Sequence, residues 1–221
     1  MKQLIKRLIQ PTPLYSFHLR REHERQRRVA IKEWDLEGRP LPPPHAVKQK
    51  AILDYAKQYE LKTLIETGTF HGDMMEAAKH DFDQLFSIEL SPELHSAAVQ
   101  RFATDAHIEL LQGDSGEVLP SLMKRLHGPA LFWLDGHFSA GETARGEEDT
   151  PIYKELQAVF DSPWKHVILI DDARCFDPAS PHRDPSYPTL DELFACIRSF
   201  EKKVFIAVQD DIIRLTPYGK N

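Results

Sequence analysis

Cysteine is scarce: Cys175 and Cys196 are the only two among 221 residues, too few for a disulfide framework and without metal-site spacing. A reducing cytoplasm is the expected setting. No apolar run approaches the roughly 20 residues needed to cross a bilayer, so no membrane span is expected. The opening M-K-Q-L-I-K-R-L-I-Q-P is basic but has neither a long apolar core nor a small-residue cleavage site, which argues against a secretory leader. One glycine is also lacking where it would matter. The loop after the first predicted strand reads G-x-x-x-G, short of the dinucleotide fingerprint G-x-G-x-x-G, and this counts against a nicotinamide-dependent oxidoreductase. No internal repeat or low-complexity segment occurs, and 41% apolar with 28% charged residues is ordinary for a globular chain.

What is present is unevenly charged. Residues 1–50 hold twelve Lys/Arg against five Asp/Glu, a net +7, while the remainder carries −13. Residues 2–9 place Leu4, Ile5, Leu8 and Ile9 on one helical face opposite Lys2, Lys6 and Arg7, and residues 20–32 form a dense basic run. Such a helix is expected to pack on the body of its own or a neighbouring subunit, the latter making a homo-oligomer; a membrane-surface or nucleic-acid role is the alternative, and with few interleaved aromatics the nucleic-acid signal is weak. Pro40, Pro42, Pro43 and Pro44 then form a joint, since proline cannot continue a helix. The expected organisation is a basic helical extension over 1–44 and one cofactor-binding domain over 45–221.

That domain is organised around K-T-L-I-E-T-G-T-F-H-G-D-M-M-E-A-A, residues 62–78. A strand over 63–66 ends in Glu66, the chain turns through Gly68 and Gly72, and good helix formers follow. Glycines let the backbone turn sharply beside a ligand, and a helix start offers unpaired N–H groups. A second strand, 85–89, ends in Glu89, which lies 23 residues after Glu66. Nucleotide-binding folds place a ribose-binding carboxylate at about that interval, although a strand-end acid can also simply face solvent. Ser91 and Pro92 mark the next helix start. A third strand, 107–112, runs into Gly113, Asp114 and Ser115, a triplet suited to an adenine edge or to an ordinary cap of a helix ending near Leu126.

The fourth strand, 130–134, is apolar throughout and stops at Asp135, Gly136 and His137, placing ionisable groups where open α/β sheets hold ligands. Beyond it lies a loop punctuated by Gly141 and Gly146, a lid or a solvated connection. The fifth strand, 167–170, ends in Asp171 and Asp172. Adjacent carboxylates at a buried strand end repel, so a cation is a natural partner. With Asp135 they supply three oxygen donors, a set suited to Mg²⁺ rather than Zn²⁺, unless one aspartate merely caps a turn. The proline-studded loop 173–188 would contribute to substrate choice. Thr189 and Glu192 open a helix with a capping-box pattern, and the chain ends in two strands around a turn at 209–211.

Taken together, E-T-G-T-F-H-G, S-I-E, Q-G-D-S, W-L-D-G-H and L-I-D-D resemble the class I S-adenosylmethionine-dependent methyltransferases, over residues 45–217. Within that class the chain is most similar to the metal-dependent, macrocin-type O-methyltransferases. The resemblance implies an α/β fold: a Rossmann-like, doubly wound, seven-stranded sheet, mostly parallel, with a C-terminal antiparallel hairpin and helices on both faces. It implies that Glu66, Thr67, Gly68, Thr69 and Gly72 surround the amino-acid part of S-adenosylmethionine, Glu89 binds its ribose, and Asp114, Ser115 and Asp135 complete the cofactor site. It further implies Mg²⁺ on Asp135, Asp171 and Asp172. The family usually has D-G-D where this chain has Asp135, Gly136 and His137, and His137 is then the expected proton acceptor beside Asp135. The acceptor would be a hydroxyl on a small molecule or a glycan. A non-catalytic binding module on the same fold is the alternative.

Overall fold

The computed structural model describes residues 13–136 and 150–219. The amphipathic segment 2–9, His137 and the loop 138–149 lie outside the described residues. Helix α1 (Pro13–Leu36) and helix α2 (His45–Gln58) flank the proline joint. There follow β1 (Thr63–Thr67), α3 (Asp73–Ala78), β2 (Gln84–Glu89) and α4 (Pro92–Arg101). Next come β3 (Ile108–Gln112), α5 (Ser115–Met123), β4 (Leu131–Leu134) and α6 (Ile152–Phe160). The chain closes with β5 (Val167–Ile170), α7 (Ala173–Phe176), α8 (Leu190–Ser199), β6 (Val204–Gln209) and β7 (Ile212–Pro217).

The seven strands form one sheet in the order β3-β2-β1-β4-β5-β7-β6, with the first five parallel and the hairpin antiparallel. This is the expected doubly wound architecture. Its cause is visible in side-chain alternation, because successive strand residues must point to opposite faces. On β4, Phe132 and Leu134 enter one core while Leu131 and Trp133 enter the other; on β5, Ile168 and Ile170 part from Val167 and Leu169 in the same way. Both faces are therefore apolar and both are covered by helices, as a parallel sheet requires. One core holds residues of α5, α6 and α8, the other residues of α2 and α3 with Phe102 from the end of α4.

Local signals set the element ends. Ser91 Oγ accepts the Leu94 N–H with Pro92 at the first helical position, and Thr189 with Glu192 completes a reciprocal capping box. The hairpin turns at Asp210 and Asp211, both left-handed (φ 53° and 63°), a primed turn whose twist suits the flanking strands. The helix after β3 stops at Met123 rather than near Leu126, because the chain tightens there: Arg125 N–H bonds Leu122 C=O and Leu126 N–H bonds Met123 C=O. The extension α1 packs on α2 of its own chain. Trp34 anchors its end, buried with Nε1 donating to the Pro40 carbonyl at 2.8 Å and capped by the Arg39 guanidinium. Among the described residues no helix is long and apolar enough to cross a membrane.

The topology fixes where a ligand can bind. Strand order reverses between β1 and β4, whose chains leave the sheet in opposite directions and open a crevice at their carboxyl ends.

Candidate active site

One half of the crevice is built on β1 and β2. Gly68 leaves β1 with φ +82°, and a Cβ there would lie 2.4 Å from the Asp135 carbonyl oxygen, so only glycine fits. Its N–H bonds the Ile88 carbonyl, which holds the loop against the end of β2. Glu66 is buried, and Ser87 Oγ donates to its carboxylate at 2.5 Å while sharing a 2.6 Å hydrogen bond with Thr69 Oγ1. Burial pushes the Glu66 carboxyl well above the usual range against the pull of the Ser87 hydrogen bond, and Asp135, Glu89 and Asp73 add to the rise. Glu89 is clamped by the backbone. Its carboxylate accepts the Phe70 N–H at 2.8 Å and the Ser91 N–H at 2.9 Å. A carboxylate has about four lone-pair sites, so these two bonds orient Glu89 and leave it capacity toward the crevice.

The other half is charged. Asp135, Asp171 and Asp172 bring carboxylate oxygens within 4.8 Å of one another, the convergence expected from the strand ends. Asp172 stands in the left-handed region (φ 56°), a conformation that costs about 1 kcal/mol or more outside glycine and gathers at functional sites. The cation on this cluster is a side chain of the protein. Lys48, in the first turn of α2, places Nζ 2.5 Å from Asp171 Oδ2 and 3.2 Å from Asp172 Oδ1. Arg174, at the start of α7, donates to Asp172 Oδ1 at 2.8 Å and to the Asp211 carboxylate. Asp211 also accepts the Arg174 backbone N–H at 2.8 Å, tying the hairpin turn to the site.

Burial raises Asp171 well above the carboxylate range, with Asp135 and Asp172 adding to the effect and Lys48 opposing it. Burial likewise pushes Asp135 up to about 7, opposed by Lys48. Burial would lower the Lys48 ammonium, but the pull of Asp171, Asp172 and Asp135 prevails and raises it.

Several expected residues serve the architecture of the crevice. Thr67 Oγ1 accepts the N–H of Asp135 (3.2 Å) and of Gly136 (3.1 Å), stapling β1 to the end of β4. Asp114 caps α5 by accepting the Gly116 N–H at 2.9 Å, and Ser115 Oγ donates to buried Glu155 of α6 at 2.6 Å. Gly72 (φ +79°) turns the chain into α3, where a Cβ would strike the Phe102 ring at 2.7 Å. The loop 173–188 is pinned by Arg183, which donates to the carbonyls of Cys175 (3.0 Å) and Tyr187 (2.6 Å), with Tyr187 buried edge-on against Phe176.

Lys48 and Glu155 escaped the sequence reading, and Ser87, Arg174 and Asp211 stood in stretches it named without their site contacts being foreseen.

No family model matches the chain, and no curated protein matches it. Solved structures do. The O-methyltransferase TomG from Streptomyces achromogenes, involved in tomaymycin synthesis and solved in complex with SAM, is 17% identical with a TM-score of 0.57, over 89% of this chain and 90% of that one. The SAH-bound methyltransferase PaMTH1 from Podospora anserina is 16% identical with a TM-score of 0.56, over 86% of this chain and 88% of that one. At such identity the likeness speaks for architecture, and the chain has the Rossmann-like methyltransferase fold.

Proposed function

We propose that this chain is an S-adenosylmethionine-dependent methyltransferase that methylates a hydroxyl oxygen of a small molecule or glycan. The observation that carries the reading is the backbone cradle at Gly68. Its φ of +82° and the 2.4 Å approach that a Cβ would make to the Asp135 carbonyl fix a turn without a side chain, packed against the end of β4, the kind of turn a cofactor can approach closely. Two carboxylates flank it at the spacing such a cofactor needs. Glu66 faces the amino-acid end and Glu89, oriented by two N–H bonds, faces the ribose. The likeness to methyltransferases solved with SAM and SAH supports the same assignment.

When bound, the sulfonium supplies an already activated methyl group. What remains for the protein is to hold the acceptor oxygen in line and to dispose of its proton. Asp135, at the end of β4, stands between the cofactor half and the aspartate cluster and so borders both partners. His137, two positions further along, is proposed as the proton acceptor on its chemistry. Asp135, Asp171 and Asp172 offer the oxygen donors that Mg²⁺ takes, and an ion there would require Lys48 to withdraw.

The test is thermal unfolding with S-adenosylhomocysteine, with NAD as control. Ligand at a hundred times its dissociation constant adds about 2.7 kcal/mol, roughly 5 to 10 °C for a chain of this size. The shift is expected with S-adenosylhomocysteine and absent with NAD, and Glu89→Ala, which leaves the turn at Gly68 intact, should reduce it. No shift in the natural sequence removes the reading.

A further inference from the structure

The three-aspartate cluster carries a cation belonging to the chain, in the place a metal would take. Lys48 Nζ lies between Asp171 Oδ2 (2.5 Å) and Asp172 Oδ1 (3.2 Å). The same two oxygens are donors that a divalent ion such as Mg²⁺ would need, so Lys48 competes for them directly. We infer that Lys48 is the resident cation of this site, and that the folded protein takes up no divalent metal there while Lys48 is in place.

Four observations carry the inference. Helix α2 carries Val47, Ala51 and Ile52 buried, the last two in the core against the sheet, which sets the backbone bearing Lys48 beside the cluster. The Lys48 side chain is only 14% exposed. Both oxygens of Asp171 are occupied from within the chain, one by Lys48 and the other by the Asp172 N–H at 2.8 Å. Asp172 Oδ1 takes a second cation, Arg174, which is itself fixed by Asp211. A metal would have to displace two paired cations and would find Asp171 already turned toward the backbone.

Lys48 is thus a positioning residue: its ammonium holds Asp171 and Asp172 beside Asp135, as a metal would hold them. The consequence for catalysis, that transfer continues in the presence of a chelator, rests on the methyltransferase reading. Occupancy of the cluster rests on geometry alone.

The experiment is a Mn²⁺ titration of the full chain followed by electron paramagnetic resonance, which reads free against bound ion, with S-adenosylhomocysteine affinity measured calorimetrically on the same samples. The natural sequence and Lys48→Arg are expected to leave Mn²⁺ free. Lys48→Met, which uncovers the carboxylates, is expected to bind it, and the added change Asp172→Asn should remove that binding. Mn²⁺ bound by the natural sequence and lost in Asp172→Asn would overturn the inference. Folded Lys48→Met that binds no better than the natural sequence would overturn it as well. If Lys48→Met does not fold, the natural sequence and Asp172→Asn still decide. Loss of S-adenosylhomocysteine binding by the natural sequence would strike the methyltransferase reading, whatever Mn²⁺ does.

Discussion

The two halves of the crevice are held by opposite means. On the side of β1 and β2, backbone N–H groups and hydroxyls do the holding: Phe70 and Ser91 clamp Glu89, Ser87 serves Glu66, and Thr67 staples the strand ends. On the side of β4, β5 and β7, charges do it. Lys48 from α2, Arg174 from α7 and Asp211 from the hairpin turn surround Asp171 and Asp172. A hydrogen-bonded network loses one bond at a time, about 1 kcal/mol each for neutral partners and roughly 1.5 to 3 for a bond to a carboxylate such as Glu89. A buried charge network is poorer in net stability yet collapses when one partner goes, because the remaining charge is stranded in low dielectric. The β1–β2 half should therefore tolerate the loss of one of these hydrogen bonds, and the aspartate half should not tolerate the loss of one of its charges.

The largest expected effect follows directly. Lys48→Met leaves Asp171, 1% exposed in its side chain, facing Asp135 and Asp172 with no ammonium between them. Breaking such a pair costs about 3 to 5 kcal/mol, and for a chain of this length each kcal/mol lowers the midpoint by roughly 2 to 4 °C. Urea unfolding at neutral pH reads it. A loss below about 1 kcal/mol, the value of an exposed pair, would mean that the aspartate half is wet and that the contrast between the halves is false.

The same contrast explains what the sequence disclosed. The β1–β2 half is local: Glu66, Gly68 and Gly72 fall in one strand-turn-helix unit, and Glu89 ends the next strand, so alternation and glycine spacing made the turn and the strand-end acids legible. The sheet, its hairpin and the caps at Ser91 and Thr189 were legible for the same reason. The aspartate half is assembled from segments far apart in the chain. Asp135, Asp171 and Asp172 could be read as strand-end acids, but nothing in spacing brings Lys48 to Asp171 across 123 positions, or Arg174 to Asp211 across 37. A cation was inferred because adjacent carboxylates need one. Its source was hidden because a lysine on an amphipathic helix is an ordinary solvated residue until the sheet places it. Ser115 was legible as polar and near the site, while its bond to Glu155 depends on the packing of α5 against α6.

A third region calibrates both halves. At the opposite end of the sheet, just before β5, buried His166 accepts the Ala130 N–H through Nδ1 at 3.0 Å and pairs with Ser162 Oγ at 2.8 Å. Burial, aided by Lys202, lowers its pKa from 6.5 to about 4. The imidazole is therefore neutral when folded but takes a proton when unfolded, so its contribution is complete above pH 6.5 and is lost as pH falls toward 4. The loss is on the order of 2 to 3 kcal/mol. It should appear as a difference in the pH slope of urea stability between the natural sequence and His166→Gln. Parallel slopes would show that the imidazole is solvated and that neutral burial is not how this end is built.

The smallest effect tests the cofactor half itself. The Glu66 carboxyl is raised by burial, so the folded chain holds that proton more tightly than the unfolded chain does. Stability is accordingly lost as pH rises from the ordinary carboxylate range through the folded pKa, the reverse of the usual paired acid. Glu66→Gln removes this penalty while keeping a partner for Ser87. The apoprotein should gain on the order of 1 kcal/mol at pH 8, and the gain should vanish near pH 4. If Glu66 serves the cationic end of S-adenosylmethionine, the same variant should bind S-adenosylhomocysteine at least tenfold more weakly, about 1.4 kcal/mol. A variant that is less stable at pH 8 would place Glu66 among the supporting charges and erase the distinction between the two halves. One that is more stable but binds unchanged would leave the halves distinct and move the amino-acid end of the cofactor away from Glu66.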